Sequence, residues 1–382
     1  MDGNTITLGG SMSLSGDNAD LGQLYQDSYQ LAIDAVNEMG GVEAGDGNTY
    51  DLEMELRDDE SDASKAQSIY RELINQEDVQ FFLGPYSSTV TLPASAIAAE
   101  NNVPMVEAGG ASTEIFSQGN EWIFGLLPTA DRYAVSMVNM AAAQNPPPET
   151  GALLVQDDTF SQSAAEGVRP IYEDNGIDLA VDRTFPSETS DLSTELGKVR
   201  DADADIVIMA AHQKHAVVMA KQLESQQVNV GMAGATVGTL SQSFKEDAGD
   251  NGDYLCGPTS WDDSASYDDP IFGDTAGFLE AHNKEFDYEP DYHNAAGATV
   301  ITTYLNAFKN VDEIAPTPVR DAVRQSNFET LYGTIEFLDN GAMDISMLVQ
   351  QWQPQEGGKV LVWPETVAQA DPLYPMPSWS ER

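Results

Sequence analysis

Two short apolar runs, each followed by small and hydroxyl side chains, constrain the fold of this chain more than any other feature. Residues 81–83 lead into Gly-Pro-Tyr-Ser-Ser-Thr at 84–89, and residues 103–106 lead into Glu-Ala-Gly-Gly-Ala-Ser-Thr at 107–113. Each segment has the pattern of a buried strand that ends in a turn and opens a helix. Successive units of this kind favour an open α/β sheet, in which ligands bind beyond the carboxyl ends of the strands.

The two turns also have the chemistry of an anion site. We predict that Ser87 or Ser88 caps a helix over residues 90–100, whose first free N–H groups can receive a carboxylate. The turn from Gly109 to Ser112 has no bulky side chain, so its backbone can approach the same ligand closely. Each turn taken alone is equally explained as an ordinary cap or bend, and only their succession favours a ligand site.

Strand and helix patterns alternate along most of the chain, in two series. The first series predicts strands at 6–10, 50–56, 81–83, 103–106 and 122–124, with helices at 21–38, 63–75 and 90–100. The second predicts helices at 131–143, 162–174, 192–199 and 215–225, with strands at 152–155, 179–185, 206–209 and 229–233. The pattern changes after residues 254–258: further helices are predicted at 271–286, 294–310 and 319–325, and further strands at 333–337, 347–353 and 360–363. The alternation predicts an α/β protein of two lobes, each with a parallel sheet covered by helices on both faces.

The charge of the chain is far from neutral. Asp and Glu total 63 against 17 Lys and Arg, which gives a formal net charge of −46 at pH 7. The acidic residues are spread along the chain, as at 58–60, 201–205 and 268–269, so we expect solvated surface and no calcium site. At ~1 M salt the Debye length is about 3 Å, which screens such repulsion, so the composition predicts a halophilic protein. Nucleic acid is not expected as a ligand because no basic stripe is present.

Several other classes of protein are disfavoured by what the sequence does not contain. A single cysteine, Cys256, provides neither a disulfide framework nor a thiolate metal cluster. His212 and His215 have a spacing that metal sites use, but no third ligand is evident, so no metal is expected. Phosphate-binding, dinucleotide-binding and nucleophile-elbow motifs do not occur, so we expect neither a cofactor nor an enzyme.

The termini and hydropathy bear on location. No apolar run approaches the ~20 residues that span a bilayer, and residues 1–3 have no basic or apolar leader pattern. This leaves two interpretations: a cytoplasmic protein, or a mature chain whose leader has been replaced by a start methionine.

An ordered set of short motifs connects the chain to a known family. It comprises Ser-Leu-Ser-Gly at 13–16, residues 31–37 with Gly-Gly at 40–41, Asp-Asp at 58–59, and residues 84–88, 102–106, 290–297 and 332–333. With these motifs the chain resembles, over nearly its whole length, the type I periplasmic binding proteins, specifically the branched-chain amino acid and amide receptors of ABC importers.

The resemblance implies two Rossmann-like lobes joined by a three-segment hinge, with crossings near 127–128, 258–259 and 331–333. Lobe one would then comprise residues 1–127 and 259–331, and lobe two residues 128–258 and 332–382. In this family the ligand lies in a cleft between the lobes, and closure about the hinge buries it.

The resemblance also implies a set of ligand-binding residues. In amino-acid binders the two small turns hold the α-carboxylate, and the matching positions are Ser88, Gly109 and Ala111, with Ser112 beside them. The remaining candidates are the aromatic wall at Phe160, a second contact at His212 or Gln213, and the flanking positions Leu21 and Trp261.

One position departs from the family pattern. Amino-acid binders commonly have an acidic residue that pairs with the ligand's ammonium, and the matching position here is Thr236. A buried ammonium without a partner costs several kcal/mol. Either Glu107 or Asp157 supplies the charge, or the ligand is an amide, a carboxylic acid or another small molecule without that ammonium.

The function implied is that of a solute receptor outside the cytoplasm, anchored at the cell surface as a lipoprotein. It would act as a monomer that captures a small ligand by hinge closure and delivers it to an ABC transporter permease, without catalysis. A ligand sensor or regulator built on the same two lobes is the alternative, and an enzyme is the less favoured one.

Overall fold

The computed structural model describes residues 5–382, and the chain divides into two compact units. Unit 1 comprises the chain up to Thr129 together with Trp261–Ile345, and unit 2 comprises Ala130–Ser260 and Ser346–Arg382. The chain therefore changes unit after residues 129, 260 and 345, whereas the sequence placed the crossings near 127–128, 258–259 and 331–333. The assignment of these units as ligand-binding lobes stays a prediction.

The first segment of unit 1 supplies a six-stranded sheet and its helices. The elements are β1 (Thr5–Met12), α1 (Ala19–Glu38), β2 (Val42–Glu43), β3 (Thr49–Asp58), α2 (Ala63–Glu77), β4 (Phe81–Leu83), α3 (Ser88–Asn101), β5 (Met105–Glu107), α4 (Thr113–Ser117) and β6 (Ile123–Gly125). The strand order is β2-β3-β1-β4-β5-β6, and all neighbours are parallel except β2 and β3. The turns after β4 and β5 therefore lie side by side at one edge of the sheet.

The first segment of unit 2 repeats the alternation. Its elements are α5 (Val135–Ala142), β7 (Thr150–Gln156), α6 (Thr159–Asp174), β8 (Asp178–Phe185), α7 (Ser193–Asp201), β9 (Ile206–Ala210), α8 (Gln213–Ser225), β10 (Met232–Ala235), α9 (Gln242–Ala248) and β11 (Cys256–Thr259). Strands β8, β7, β9, β10 and β11 are adjacent in that order and parallel.

The rest of the chain completes both units. In unit 1 it adds β12 (Asp268–Asp269), β13 (Gly273–Asp274), α10 (Thr275–Glu285), α11 (Tyr292–Lys309), α12 (Pro316–Arg324), β14 (Asn327–Thr330) and β15 (Gly333–Glu336). In unit 2 it adds β16 (Leu348–Gln353) and β17 (Gly358–Trp363), which extend the sheet antiparallel beyond β11. The predicted α/β fold with parallel sheets flanked by helices is confirmed. Among residues 5–382 no helix has the length and apolar character needed to cross a bilayer.

Some predicted boundaries were wrong for local reasons. The strand predicted at 229–233 lies at 232–235, since ladder pairing with β9 starts only at Met232 opposite Ile206. The helix predicted from 271 begins at Thr275, because the side chain of Asp274 accepts the N–H of Gly277 and caps it there. The helix predicted at 131–143 starts with a short 3-10 turn at Ala130–Arg132 before α5. Seven short strands and helices were missed: β2, α4, α9, β11, the two strands β12 and β13 of one hairpin, and β14.

Tyr304 of α11 connects the helix to the two strands that carry the small turns. Its hydroxyl lies 2.7 Å from the carbonyl of Phe82 and 2.9 Å from that of Pro104, and it accepts the N–H of Val106 at 3.3 Å. The side chain is fully buried, so water cannot take the place of its hydroxyl as the hydrogen-bond partner of these backbone groups.

We expect Tyr304→Phe to lower the free energy of unfolding by about 1–3 kcal/mol, because buried polar groups lose a partner. Urea unfolding of both proteins measures the difference. Tyr50→Phe is the matched control, since the Tyr50 hydroxyl donates to Asp46 near the surface and should be much less costly to remove. Equal losses in the two variants would contradict the role given to Tyr304.

Candidate functional site

The turns after β4 and β5 meet through the hydroxyl of Ser88. Ser88 is the first residue of α3, it is buried, and its Oγ accepts the backbone N–H groups of Ala111 and Ser112, each at 3.0 Å. The structure thus brings together three of the predicted site residues. A hydroxyl carries two acceptor lone pairs and one proton, so these two bonds leave the Ser88 proton able to donate to a carboxylate.

The predicted capping role of these serines was wrong. Ser87 occupies the N-cap of α3, but its side chain makes no capping hydrogen bond there. Ser88 lies inside the helix and faces the second turn instead. The serine that caps with its side chain is Ser112, whose Oγ accepts the N–H of Glu114 at the start of α4.

Glycines allow the two turns to pack backbone against backbone. A Cβ at Gly109 would lie 2.2 Å from the carbonyl oxygen of Pro85, and a Cβ at Gly84 would lie 1.9 Å from the Cβ of Glu107. Both contacts are too close for any side chain, so glycine is required at these two positions. The small residues predicted in this turn are therefore needed, before any ligand is considered, for its packing against the neighbouring turn.

Glu107 stands at the end of β5, directly below the second turn. Its carboxyl group is fully buried, and Oε2 accepts the N–H groups of Gly109 at 2.8 Å and Gly110 at 2.6 Å. Burial raises the pKa of Glu107 to about 8, although the two N–H groups oppose the shift. Most Glu107 side chains are therefore neutral at pH 7, which makes this residue a poor counter-ion for a ligand ammonium.

Tyrosines from two helices hold the ends of the same strands. Tyr25 and Tyr29 of α1 donate to the carbonyls of Ala108 and Gly84, and Tyr70 of α2 donates to that of Leu83. Sequence reasoning missed these contacts. The sequence pattern that could have predicted them is the four-residue spacing of Leu21, Tyr25 and Tyr29, which places these side chains on one face of α1. All three are buried, and Leu21 is thereby located on the inward face.

The Asp58–Asp59 pair fixes the loop that follows β1. Asp59 is buried, and its carboxylate accepts the hydroxyls of Ser11 and Ser13, each at 2.8 Å. The Ser13 hydroxyl also lies 2.8 Å from the carbonyl oxygen of Tyr86. Burial raises the pKa of Asp59, against the hydrogen bonds that lower it. The expectation that this pair is solvated surface is wrong, because it ties the loop after β1 to the loop after β4.

Unit 2 brings Phe160 and His212 together. Phe160, at the start of α6, packs edge-on against Tyr133 with ring centroids 5.1 Å apart, and its ring lies 5.3 Å from that of His212. His212 Nε2 is 3.7 Å from Oδ1 of Asp158, which caps α6 through the N–H of Ser161. Although burial opposes it, the neighbouring His212 imidazole and the hydrogen bonds with Ser161 lower the pKa of Asp158. The ionised acid next to these rings is therefore Asp158, whereas Asp157 is exposed.

Gln213 and Thr236 make contacts within unit 2. The Thr236 hydroxyl donates to the carbonyl of Ala211 and accepts its N–H, both at 3.0 Å, and so joins the ends of β9 and β10. Gln213 accepts the hydroxyl of Ser241 at 2.8 Å and donates to that of Ser243 at 2.9 Å. Their predicted ligand contacts stay predictions.

His215 and Trp261, the last two residues singled out from the sequence, contact residues of their own units. Both ring nitrogens of His215 lie 2.9 Å from oxygen atoms, one of Gln156 and one of Thr189. Trp261 belongs to unit 1, is buried, and packs edge-on against Phe278 at 6.1 Å between centroids.

Two α/β units with hydroxyl, amide and aromatic groups at the carboxyl ends of parallel strands have the arrangement expected of a solute-binding protein. Residues 5–359 match the family model described as periplasmic binding protein, and the chain belongs to this family.

The chain is also similar to individual relatives and solved structures. In an alignment 395 residues long, which covers 95% of this chain and 92% of the relative, the chain is 27% identical to Leu/Ile/Val-binding protein homolog 7 of Brucella abortus strain 2308. Its fold is similar to that of LivJ from Streptococcus pneumoniae in complex with isoleucine, with a TM-score of 0.83 and 19% identity over 94% of this chain and all of that one. It is also similar to a solute-binding protein of R. palustris in complex with benzoate, with a TM-score of 0.81 and 15% identity over 98% and 99% of the two chains.

Proposed function

We propose that this chain is the receptor of an ABC importer, which captures a small ligand through its carboxylate and delivers it to a membrane permease. The observation that carries the proposal is the Ser88 hydroxyl, buried between two turns and bonded to the N–H groups of Ala111 and Ser112. A carboxylate that accepts the Ser88 proton would receive a charge-assisted hydrogen bond from a hydroxyl that the two N–H groups hold in place. Unit 2 would supply Phe160, His212 and Gln213.

The ligands of the relatives support a carboxylate as the shared feature. Isoleucine and benzoate both carry one, and only isoleucine carries an ammonium as well. Here Glu107 is mostly neutral at pH 7, and the hydroxyl of Thr236 is engaged by the backbone. An amino acid would therefore need Asp158 as its ammonium partner, whereas a simple carboxylic acid would need none.

The setting of this function is part of the proposal. The family operates outside the cytoplasm, and we propose a surface-anchored lipoprotein that acts as a monomer in a salt-rich environment. The acidic composition supports the last point, since only five acidic side chains among residues 5–382 are buried: Asp59, Glu107, Asp262, Asp269 and Asp291.

We expect Ser88→Ala to weaken ligand binding by roughly 1.5–3 kcal/mol, because a hydrogen bond to a charged group is lost. Isothermal titration calorimetry with a ligand found by screening measures the change. Ser68→Ala is the matched control, since the Ser68 hydroxyl bonds only its own helix at Ser64 on the surface of α2. Unchanged affinity in a stably folded Ser88→Ala protein would remove Ser88 from the site.

A further inference from the structure

The carboxyl group of Glu107 lies in a tightly packed, fully buried space. A Cβ at Gly125 of β6 would lie 2.7 Å from its Oε1, so glycine at position 125 leaves room for the carboxyl group. Oε1 has no hydrogen-bond partner among the described residues, although it is completely buried.

The other carboxyl oxygen sets the geometry of the second turn. Oε2 accepts the N–H groups of both Gly109 and Gly110, and the next two residues are Ala111 and Ser112, whose N–H groups meet Ser88. One oxygen atom therefore orients the backbone from which the proposed ligand contacts project. Any influence of Glu107 on a ligand at Ser88 would therefore pass through this turn.

We propose that Glu107 is a positioning residue of the ligand site, and that its uncharged form is the one competent to bind a carboxylate ligand. The inference rests on the proposed function. A negative charge at Glu107 would lie beneath the turn that holds the Ser88 hydroxyl, near the ligand's own negative charge, and in a buried site the repulsion is poorly screened. Ligand binding and ionisation of Glu107 would then oppose each other.

The tyrosines that surround Glu107 stay neutral in the pH range in which Glu107 changes charge. Tyr29 of α1 and Tyr70 of α2 interact with it electrostatically, and Tyr304 of α11 lies near Tyr29. Burial raises the pKa of each of these phenols well above 10, so they stay neutral where Glu107 titrates. Asp59 also interacts electrostatically with Tyr70, and Phe116 of α4 contributes an apolar wall near Gly125. With its pKa near 8, Glu107 ionises between pH 7 and 9.

The test is the pH profile of ligand affinity in the natural protein and in Glu107→Gln. Gln keeps an oxygen for Gly109 and Gly110 and does not ionise. The ratio of the two dissociation constants at pH 6, where Glu107 is uncharged, is the reference value. Above pH 8 the dissociation constant of the natural protein should rise relative to the variant by up to about tenfold per pH unit, reaching roughly tenfold at pH 9. Taking the ratio cancels any titration of the ligand itself.

A second measurement keeps the test independent of the variant's folding. At pH 9 the natural protein should take up close to one proton per ligand bound, which calorimetry in buffers of different ionisation enthalpy detects. A constant affinity ratio from pH 6 to 9, or binding at pH 9 without proton uptake, would overturn the inference while leaving the receptor function intact. Absence of any carboxylate ligand for the natural protein at pH 6 would overturn the proposed function, and this inference with it.

Discussion

Glu107→Gln is expected to make the protein more stable at alkaline pH, by about 5 kcal/mol above pH 8. The pKa of Glu107 is raised from 4.5 to about 8 on folding, so the folded state keeps a proton that the unfolded state has lost. The stabilisation this provides is fully present below pH 4.5 and is lost as the pH rises to 8, at about 1.4 kcal/mol per pH unit. Gln does not titrate and avoids this loss.

Urea unfolding at constant KCl from pH 5 to 9 measures the effect. The natural protein and the variant should have similar free energies of unfolding at pH 5, and the gap should widen steadily up to pH 8. Glu100→Gln, an exposed carboxylate of α3, is the matched control and should keep the pH dependence of the natural protein. Parallel curves for the natural protein and Glu107→Gln would mean that Glu107 is ionised in the folded state.

Salt is expected to stabilise the fold strongly, because the net charge is −46. Two like charges about 10 Å apart repel by ~0.4 kcal/mol in unscreened water, and raising the salt from 0.1 to 1 M shortens the Debye length from about 10 Å to about 3 Å. Summed over 63 acidic residues, the relieved repulsion reaches several kcal/mol. The melting temperature should rise on the order of 10 °C between these concentrations.

The ion pairs of the surface do not reverse this expectation. Arg57 contacts Glu55, Glu72 and Glu77 at 2.9–3.3 Å, but such exposed pairs contribute little and are themselves screened. Sucrose at matched osmolality is the control, because it strengthens apolar burial without screening charge. A melting temperature that rises equally in sucrose and KCl, or not at all in KCl, would contradict an electrostatic origin.

The sequence predicted the parts of the fold that depend on local pattern. The alternation of apolar strands and helices was sufficient for the two sheets, and the small turns led to Ser88, Ala111 and Ser112. Contacts between distant residues were not predictable in the same way. The Ser88 hydroxyl was expected to cap its own helix, but the N–H groups of the neighbouring turn compete for it and lie closer in the fold.

Burial of acidic residues was the other feature that pattern did not reveal. In a chain with this many carboxylates, nothing local distinguishes Asp59 and Glu107 from exposed neighbours. Their surroundings come from strands adjacent in the sheet, and Tyr25 contacts Ala108 across 83 residues of sequence. The pairing of Phe160 with His212 likewise depends on β7 and β9 being neighbours, which the order of the strands along the chain does not determine.

The central claim is that this protein binds a small ligand through its carboxylate. The direct measurement is a thermal-shift screen in molar KCl that compares each acid with its primary amide, such as isoleucine with isoleucinamide and benzoate with benzamide. A carboxylate ligand at 100 times its dissociation constant should add about 2.7 kcal/mol of stability, a shift of several degrees, and its amide should add much less. Shifts from amides alone, or equal shifts from an acid and its amide, would contradict the claim.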